Sequence, residues 1–247
     1  PGQRYILSGE GLQLLQLIVE ERTREPLAGL MQQRVFDRFG MLNTSMTWRA
    51  DFATHAAKAY GVDGIARSHV QHSQAQAALS MDTTLDDYAA FFAGVLRGEG
   101  LSAKAQQQML SAPIAITSPQ QMSSHGAADT AVNKGIALAA GLGWVVYHSP
   151  RGVTFFAQGK AQGTSNLALG FADSRDGLLL LSNSRKADAL MFEATKLLLG
   201  APTICLPWFW MGDLPFDRPE MRKPGARDKA LGPGCDFADQ LVEGSRK

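Results

Sequence analysis

The chain has 247 residues, 45% of them hydrophobic and 19% charged, with a formal net charge of +1. That length holds one large domain or two small ones with a sizeable core, and the composition excludes a disordered chain. The near-zero charge provides no field for nucleic acid or an acidic membrane surface, and no apolar run reaches the roughly 18 residues of a membrane span.

The chain opens Pro1-Gly2-Gln3-Arg4-Tyr5-Ile6-Leu7-Ser8-Gly9-Glu10-Gly11, and with Pro first the expectation is a fragment or a processed product. Ser8 stands where a helix cap is needed. Leu14, Leu15 and Ile18 share a helical face that Leu17 and Val19 widen, until Thr23-Arg24-Glu25-Pro26 breaks the pattern. Leu27, Leu30, Met31, Val35 and Phe36 predict a second amphipathic helix, followed by the turn Phe39-Gly40-Met41-Leu42-Asn43-Thr44-Ser45. Residues 50–80 are weakly patterned. Thr83 or Thr84 then reads as an N-cap, with Asp86 and Asp87 in the first turn of a helix through Tyr88, Phe91, Phe92 and Val95. Gly98 and Gly100 end it. A short helix is expected over 102–110 and a loop over 117–135.

From Leu142 the period changes. Trp144 to Tyr147, Val153 to Phe156, Asn166 to Phe171 and Leu178 to Leu181 read as short strands separated by Gly, Ser and Asp turns. Hairpins are expected at His148-Ser149-Pro150-Arg151-Gly152 and at Asp173-Ser174-Arg175-Asp176-Gly177. Ala187 to Leu199 reads as a closing helix ended by Gly200. After Pro202 comes a tail, first aromatic (Trp208-Phe209-Trp210), then rich in Pro, Gly and charge. Its aromatics are expected to pack back on the chain's own domain, with a docking role as the alternative. Cys205 and Cys235, the only cysteines, read as free thiols rather than a pair.

Four segments carry a resemblance in a fixed order. They are the Pro-Gly opening, the Phe-Gly-Met-Leu-Asn-Thr-Ser turn, the Thr83-Thr84-x-x-Asp87-Tyr88 helix start with Ala77, Ala78 and Leu79 before it, and the Leu-Leu-Ser-Asn-Ser strand end. Together they resemble the serine β-lactamase and penicillin-binding protein superfamily, in its class C and esterase-like branch. The resemblance implies an α/β (α+β) fold, an antiparallel sheet flanked by helices with a helical subdomain, of which the N-terminal part is missing. It implies a partial domain over 1–202, with a helical region at about 8–115 and a sheet and closing helix at about 140–200. Residues 203–247 form the tail.

In that superfamily three motifs meet in one cleft. Ser-x-x-Lys supplies a nucleophile and the base that frees it. A Tyr shuttles protons. A strand with His/Lys-x-Gly supplies positive charge, room for substrate and an oxyanion-binding N–H. No serine here has a Lys three residues on, the spacing that would put both on one helical face. The second motif aligns at Leu7, Ser8 and Gly9, with Leu7 at the Tyr position, where it moves no proton; Ser8 then reads as a cap alone. Tyr5 lies about 6–7 Å from that position along an extended segment. The third motif aligns at Phe155-Phe156-Ala157-Gln158-Gly159-Lys160-Ala161-Gln162-Gly163, where Ala157 replaces the basic residue. Lys160 stands where the backbone N–H would face an oxyanion and its side chain would restore some charge; the plainer alternative is a solvated turn lysine.

The resemblance implies a serine hydrolase acting on β-lactams, D-amino-acid peptides or small esters, incomplete or degenerate in this chain, with an inactive binding or structural subunit as the alternative. It implies a periplasmic or secreted location, a small-molecule or peptide ligand and a partner chain supplying the missing strands. No cofactor, metal, nucleic acid or membrane span is expected. His69-x-x-His72 could place two imidazoles on one helical face, but without a third ligand these read as surface histidines.

Overall fold

The structure, a computed structural model, describes residues 4–118, 131–161 and 163–199. The tail, with Cys205, Cys235 and the Trp208 cluster, lies outside the described residues.

Helix α1 (Gly9–Thr23) starts where Ser8 Oγ accepts the Gly11 N–H at 3.1 Å and stops at Arg24, a left-handed cap (φ 61°) two residues before Pro26. The expected apolar face points the wrong way for a core. Leu14, Leu15 and Ile18 are 58%, 54% and 50% exposed, and no residue of α1 is buried. What docks is polar. Gln16 Nε2 donates to Ala75 O (3.0 Å), Gln16 Oε1 accepts from Ala77 N–H (2.9 Å), and Glu20 Oε1 accepts from Leu27 N–H (2.8 Å). Leucines at 12, 14, 15 and 17 surround much of this helix, so their spacing does not say which side faces inward. The two-ended amide of Gln16, which pairs with Ala75 O and the Ala77 N–H, decides it.

The second helix runs as α2 (Leu27–Met31), a π-helical turn (Gln32–Phe36) and α3 (Asp37–Phe39), three residues beyond the expected end. Gly40 closes it at φ 66°. Phe36, Met41 and Met46 form a small core there with Leu27, Met31, Val35, Phe39 and Phe91 around it. The cap of α4 (Leu85–Arg97) is Thr84, which accepts from Asp87 N–H; Thr83 instead bonds Thr44 at 2.7 Å. Asp87 is buried in the first turn of α4, and its Oδ2 accepts from Asn43 N–H (2.7 Å) and Thr44 Oγ1 (2.8 Å). That one carboxylate clamps the 40–45 turn to α4. Helix α5 (Ala103–Met109) follows.

Six antiparallel strands follow in a simple meander, β3 to β8 in spatial order: β3 (Ile114–Ala115), β4 (Ala139–Ala140), β5 (Val145–Ser149), β6 (Gly152–Lys160), β7 (Ser165–Phe171) and β8 (Gly177–Ser182). Alternation divides the side chains between two cores. Val146, Phe155 and Ala168 join Trp144 and Phe92 on the face covered by α4. Val145, Tyr147, Phe156, Leu167 and Leu169 join Ala187 and Met191 of α7 (Ala187–Leu199) on the other. Burying each large side chain contributes about 1.5–3 kcal/mol. Both expected hairpins form, with Gly152 at φ 88° after Pro150-Arg151 in the first and Arg175 at φ 58° in the second.

The expected loop at 117–135 is partly helical, α6 (Ala131–Gly135), because buried Asn133 donates to Ser118 O at 2.7 Å and accepts from Leu138 N–H. The weakly patterned 50–80 stretch contains a hairpin, β1 (Ala59–Tyr60) with β2 (Ala66–Arg67). Tyr60 N–H donates to Asn183 O and Tyr60 O accepts from Arg185 N–H, which fixes this hairpin to the far end of the sheet.

Candidate functional site

The third-motif residues occupy the end of β6. Ala157 lies opposite Ala168, Gly159 opposite Asn166 and Lys160 opposite Ser165 of β7. Ala157 packs against the cluster of Phe92, Trp144 and Phe155, so Ala157 and Gly159 share the α4 side of the sheet. Lys160 follows the alternation of Phe156 and Gln158 and projects from the opposite face. Its ammonium therefore does not stand in for the basic residue that Ala157 replaces; its backbone N–H remains next to Gly159.

Two glycines of the motif differ in their reason for being glycine. A Cβ at buried Gly163 would come within 2.5 Å of Ala59 Cβ and 2.9 Å of Tyr60 N, so close approach of the β1–β2 hairpin excludes a side chain. Gly159 is exposed, and a Cβ there would meet only Asn166, with Nδ2 at 3.7 Å and Cβ at 3.9 Å. Packing in this fold does not require glycine at 159. Its absent side chain leaves an open strip of backbone beside Ala157, the shape an extended ligand needs.

Asn166 is a residue the sequence reading missed. Its Oδ1 accepts from Ser182 N–H at 3.2 Å, which orients the amide across the Gly159 face. Ala161 N–H donates to Thr164 O next to the Lys160–Ser165 pair, in the same register that opposes Asn166 to Gly159. Only that register reveals the residue.

The second-motif positions precede α1. Leu7 is half-buried, while Ser8 and Gly9 are exposed. Ser8 Oγ is occupied by Gly11 N–H and Glu10 Oε2 (3.2 Å), the bonds of a cap. Tyr5 packs against the α7-side core, and burial pushes its phenol above the ordinary tyrosine range, so it holds its proton and offers no base. His69 and His72 do not share a helix: His69 Nε2 pairs with Asp82 Oδ1 at 3.0 Å and stacks on Trp48, and His72 O accepts from Trp48 N–H.

An antiparallel meander with helices on both faces, a capped helix after a Pro-Gly opening and an open-glycine strand together define a β-lactamase-like α/β fold. The sequence model of the β-lactamase family matches residues 1–201, and the chain belongs to that family. Among solved structures, a D-alanine carboxypeptidase from Burkholderia cenocepacia is 18% identical with a TM-score of 0.59, over 75% of this chain and 57% of its own. A β-lactamase/D-alanine carboxypeptidase from Pseudomonas syringae is 16% identical with a TM-score of 0.61, over 81% and 61%. An octameric penicillin-binding protein homologue from Pyrococcus abyssi is 17% identical with a TM-score of 0.61, over 81% and 44%. At these identities the likeness is one of fold, and the chain spans 57% and 61% of the length of the first two. No curated protein sequence gives a significant match. No helix among the described residues is long and apolar enough to cross a membrane.

Proposed function

We propose that residues 1–202 are the substrate-strand portion of a β-lactamase-type serine hydrolase, with 203–247 as an appended tail. In this reading the chain binds an acyl ligand along β6 but carries no nucleophile of its own. The observation that carries it is the exposed backbone at Gly159, which nothing in the fold's packing requires, beside a sequence that contains no Ser-x-x-Lys. In the complete hydrolase a serine from polypeptide outside these residues would attack the ligand's acyl carbon, breaking its bond to the ring nitrogen, amine or alcohol, which leaves with the serine's proton. The backbone N–H at Lys160 would donate to the oxyanion, and water would then release the acyl group. Substrates of this reading are β-lactams, D-amino-acid peptides or small esters, and its compartment is the periplasm or the exterior.

Fluorescent penicillin followed by intact-mass spectrometry tests it. Residues 1–247 alone should take no covalent adduct, while any longer product of the same reading frame that carries Ser-x-x-Lys should be acylated. A covalent adduct on 1–247, or none on such a longer product, overturns it.

A second reading, an inactive ligand-binding or structural subunit, is favoured by Leu7 and by the packing of Ala157 into an apolar cluster that suits a small side chain. If it holds, the longer product should hydrolyse esters only after Leu7→Tyr and Ala157→His are introduced together. Rapid turnover without them excludes it. A partner chain supplying strands is compatible with both readings.

A further inference from the structure

We propose that Asn166 is a positioning residue of the β6 groove, donating a hydrogen bond to a carbonyl or carboxylate oxygen of a ligand lying over Gly159. This rests on the reading of β6 as the ligand strand.

Asn166 and Gly159 are directly opposed in the β6–β7 ladder, on the face that Ala157 also shares. Among the described residues, and apart from its two chain neighbours, the atoms within 4 Å of a Cβ built on Gly159 belong to Asn166, so the Asn166 side chain borders that open strip. The amide has a single orientation that fits its surroundings. Ser182 contributes an N–H, and only the Oδ1 end of Asn166 can accept it, at 3.2 Å. The Nδ2 end is thereby turned toward the strip with two N–H donors, and it makes no hydrogen bond among the described residues. A half-buried donor held rigid from behind loses little freedom when it meets an oxygen. A pair of N–H donors recognises an oxygen of the ligand rather than a cation.

The substitution Asn166→Asp separates this role from structure. Aspartate keeps an oxygen for the Ser182 N–H and the same shape, but replaces the two donors by an acceptor. The probe is benzylpenicillin, added to the full 1–247 chain, with binding followed through the assigned Gly159 backbone and Asn166 side-chain amide NMR signals. Both signals should shift together and saturate, and Asn166→Asp should weaken binding about tenfold or more with an unchanged thermal midpoint. Benzylpenicillin methyl ester distinguishes the two oxygens. If the ligand's carboxylate is the acceptor, the ester, which keeps only a neutral and weaker acceptor there, binds wild type less tightly than the acid does and loses less on Asn166→Asp; if an amide carbonyl is, acid and ester weaken alike with Asn166→Asp. A Gly159 signal that shifts while the Asn166 pair stays fixed, or an Asn166→Asp protein that binds the acid as wild type does, overturns the role of Asn166 and leaves the strand reading standing. Saturating benzylpenicillin that moves neither signal overturns both.

Discussion

The sheet and the first helix solve the same problem in opposite ways. Strands β5 to β7 bury large side chains on both faces, so each residue from Thr154 to Phe156 is fully enclosed by groups of this chain. Helix α1 buries nothing. It is held by the amide of Gln16 and the carboxylate of Glu20, and it turns Leu14, Leu15, Leu17 and Ile18 outward. The sheet's own two ends repeat the contrast. β3 is a two-residue edge, whereas β8 presents Leu178 to Leu181 at the other edge with neither proline nor charge to protect it. Where the chain supplies both sides of a contact, packing is complete. Where it does not, leucines remain in water, and the relatives that share the fold have length beyond what this chain spans.

The sharpest break of that comparison is in the sheet. Phe155 touches Phe92 and Trp144 edge-on at 6.1 and 5.1 Å between ring centroids and is 1% exposed. Phe155→Ala should cost about 3–5 kcal/mol in urea unfolding, because the rings around it cannot close the hole. A cost under about 1 kcal/mol would mean the α4-side core is not built as described. Next comes Asp87. Asp87→Ala leaves Asn43 N–H and Thr44 Oγ1 without their acceptor and should cost about 2–3 kcal/mol, with Asp87→Asn in between. If Asn proves as damaging as Ala, charge rather than acceptor geometry is what matters there.

A smaller effect distinguishes the two glycines of the third motif. Gly163→Ala forces a Cβ into Ala59 and the Tyr60 backbone and should cost about 1–3 kcal/mol by overpacking. Gly159→Ala should leave stability within about 0.5 kcal/mol, because the new methyl meets only the Asn166 side chain at ordinary contact distance. Paired thermal melts check this. Equal losses would remove the ground for reading Gly159 as a site residue.

How much of this was legible in the sequence follows the same division. The strands at Trp144 to Tyr147, Val153 to Phe156 and Asn166 to Phe171 were legible as short apolar runs between turns, because both of their faces are enclosed. Caps at Ser8 and the threonine pair before Asp87 were legible because their chemistry is local. The inward side of α1 was not, since leucines ring the helix and the deciding bond joins Gln16 to residues 59 and 61 positions away. The β1–β2 hairpin and strands β3 and β4 are two residues each, too short to show a period. Asn166 acquires meaning only through the β6–β7 register, a non-local pairing with Gly159 that no spacing in the sequence announces.

The smallest expected effect is the most informative about α1. Leu15 is 54% exposed, so Leu15→Gln in the 1–247 chain should change stability by less than about 0.5 kcal/mol. It changes a half-exposed side chain that belongs to none of the three buried clusters, and glutamine has nearly the helix propensity of leucine. The same holds for Leu14 and Ile18, and a protein with all three changed should be more soluble at unchanged midpoint, since an exposed apolar stripe is what drives association. The measurement is the denaturation midpoint at several protein concentrations. A loss of about 1 kcal/mol or more, or a midpoint that rises with concentration in the parent and not in the triple variant, shows the stripe to be covered in solution. The contrast between the sheet and α1 would then be one of which polypeptide supplies the partner surface, not of whether one exists.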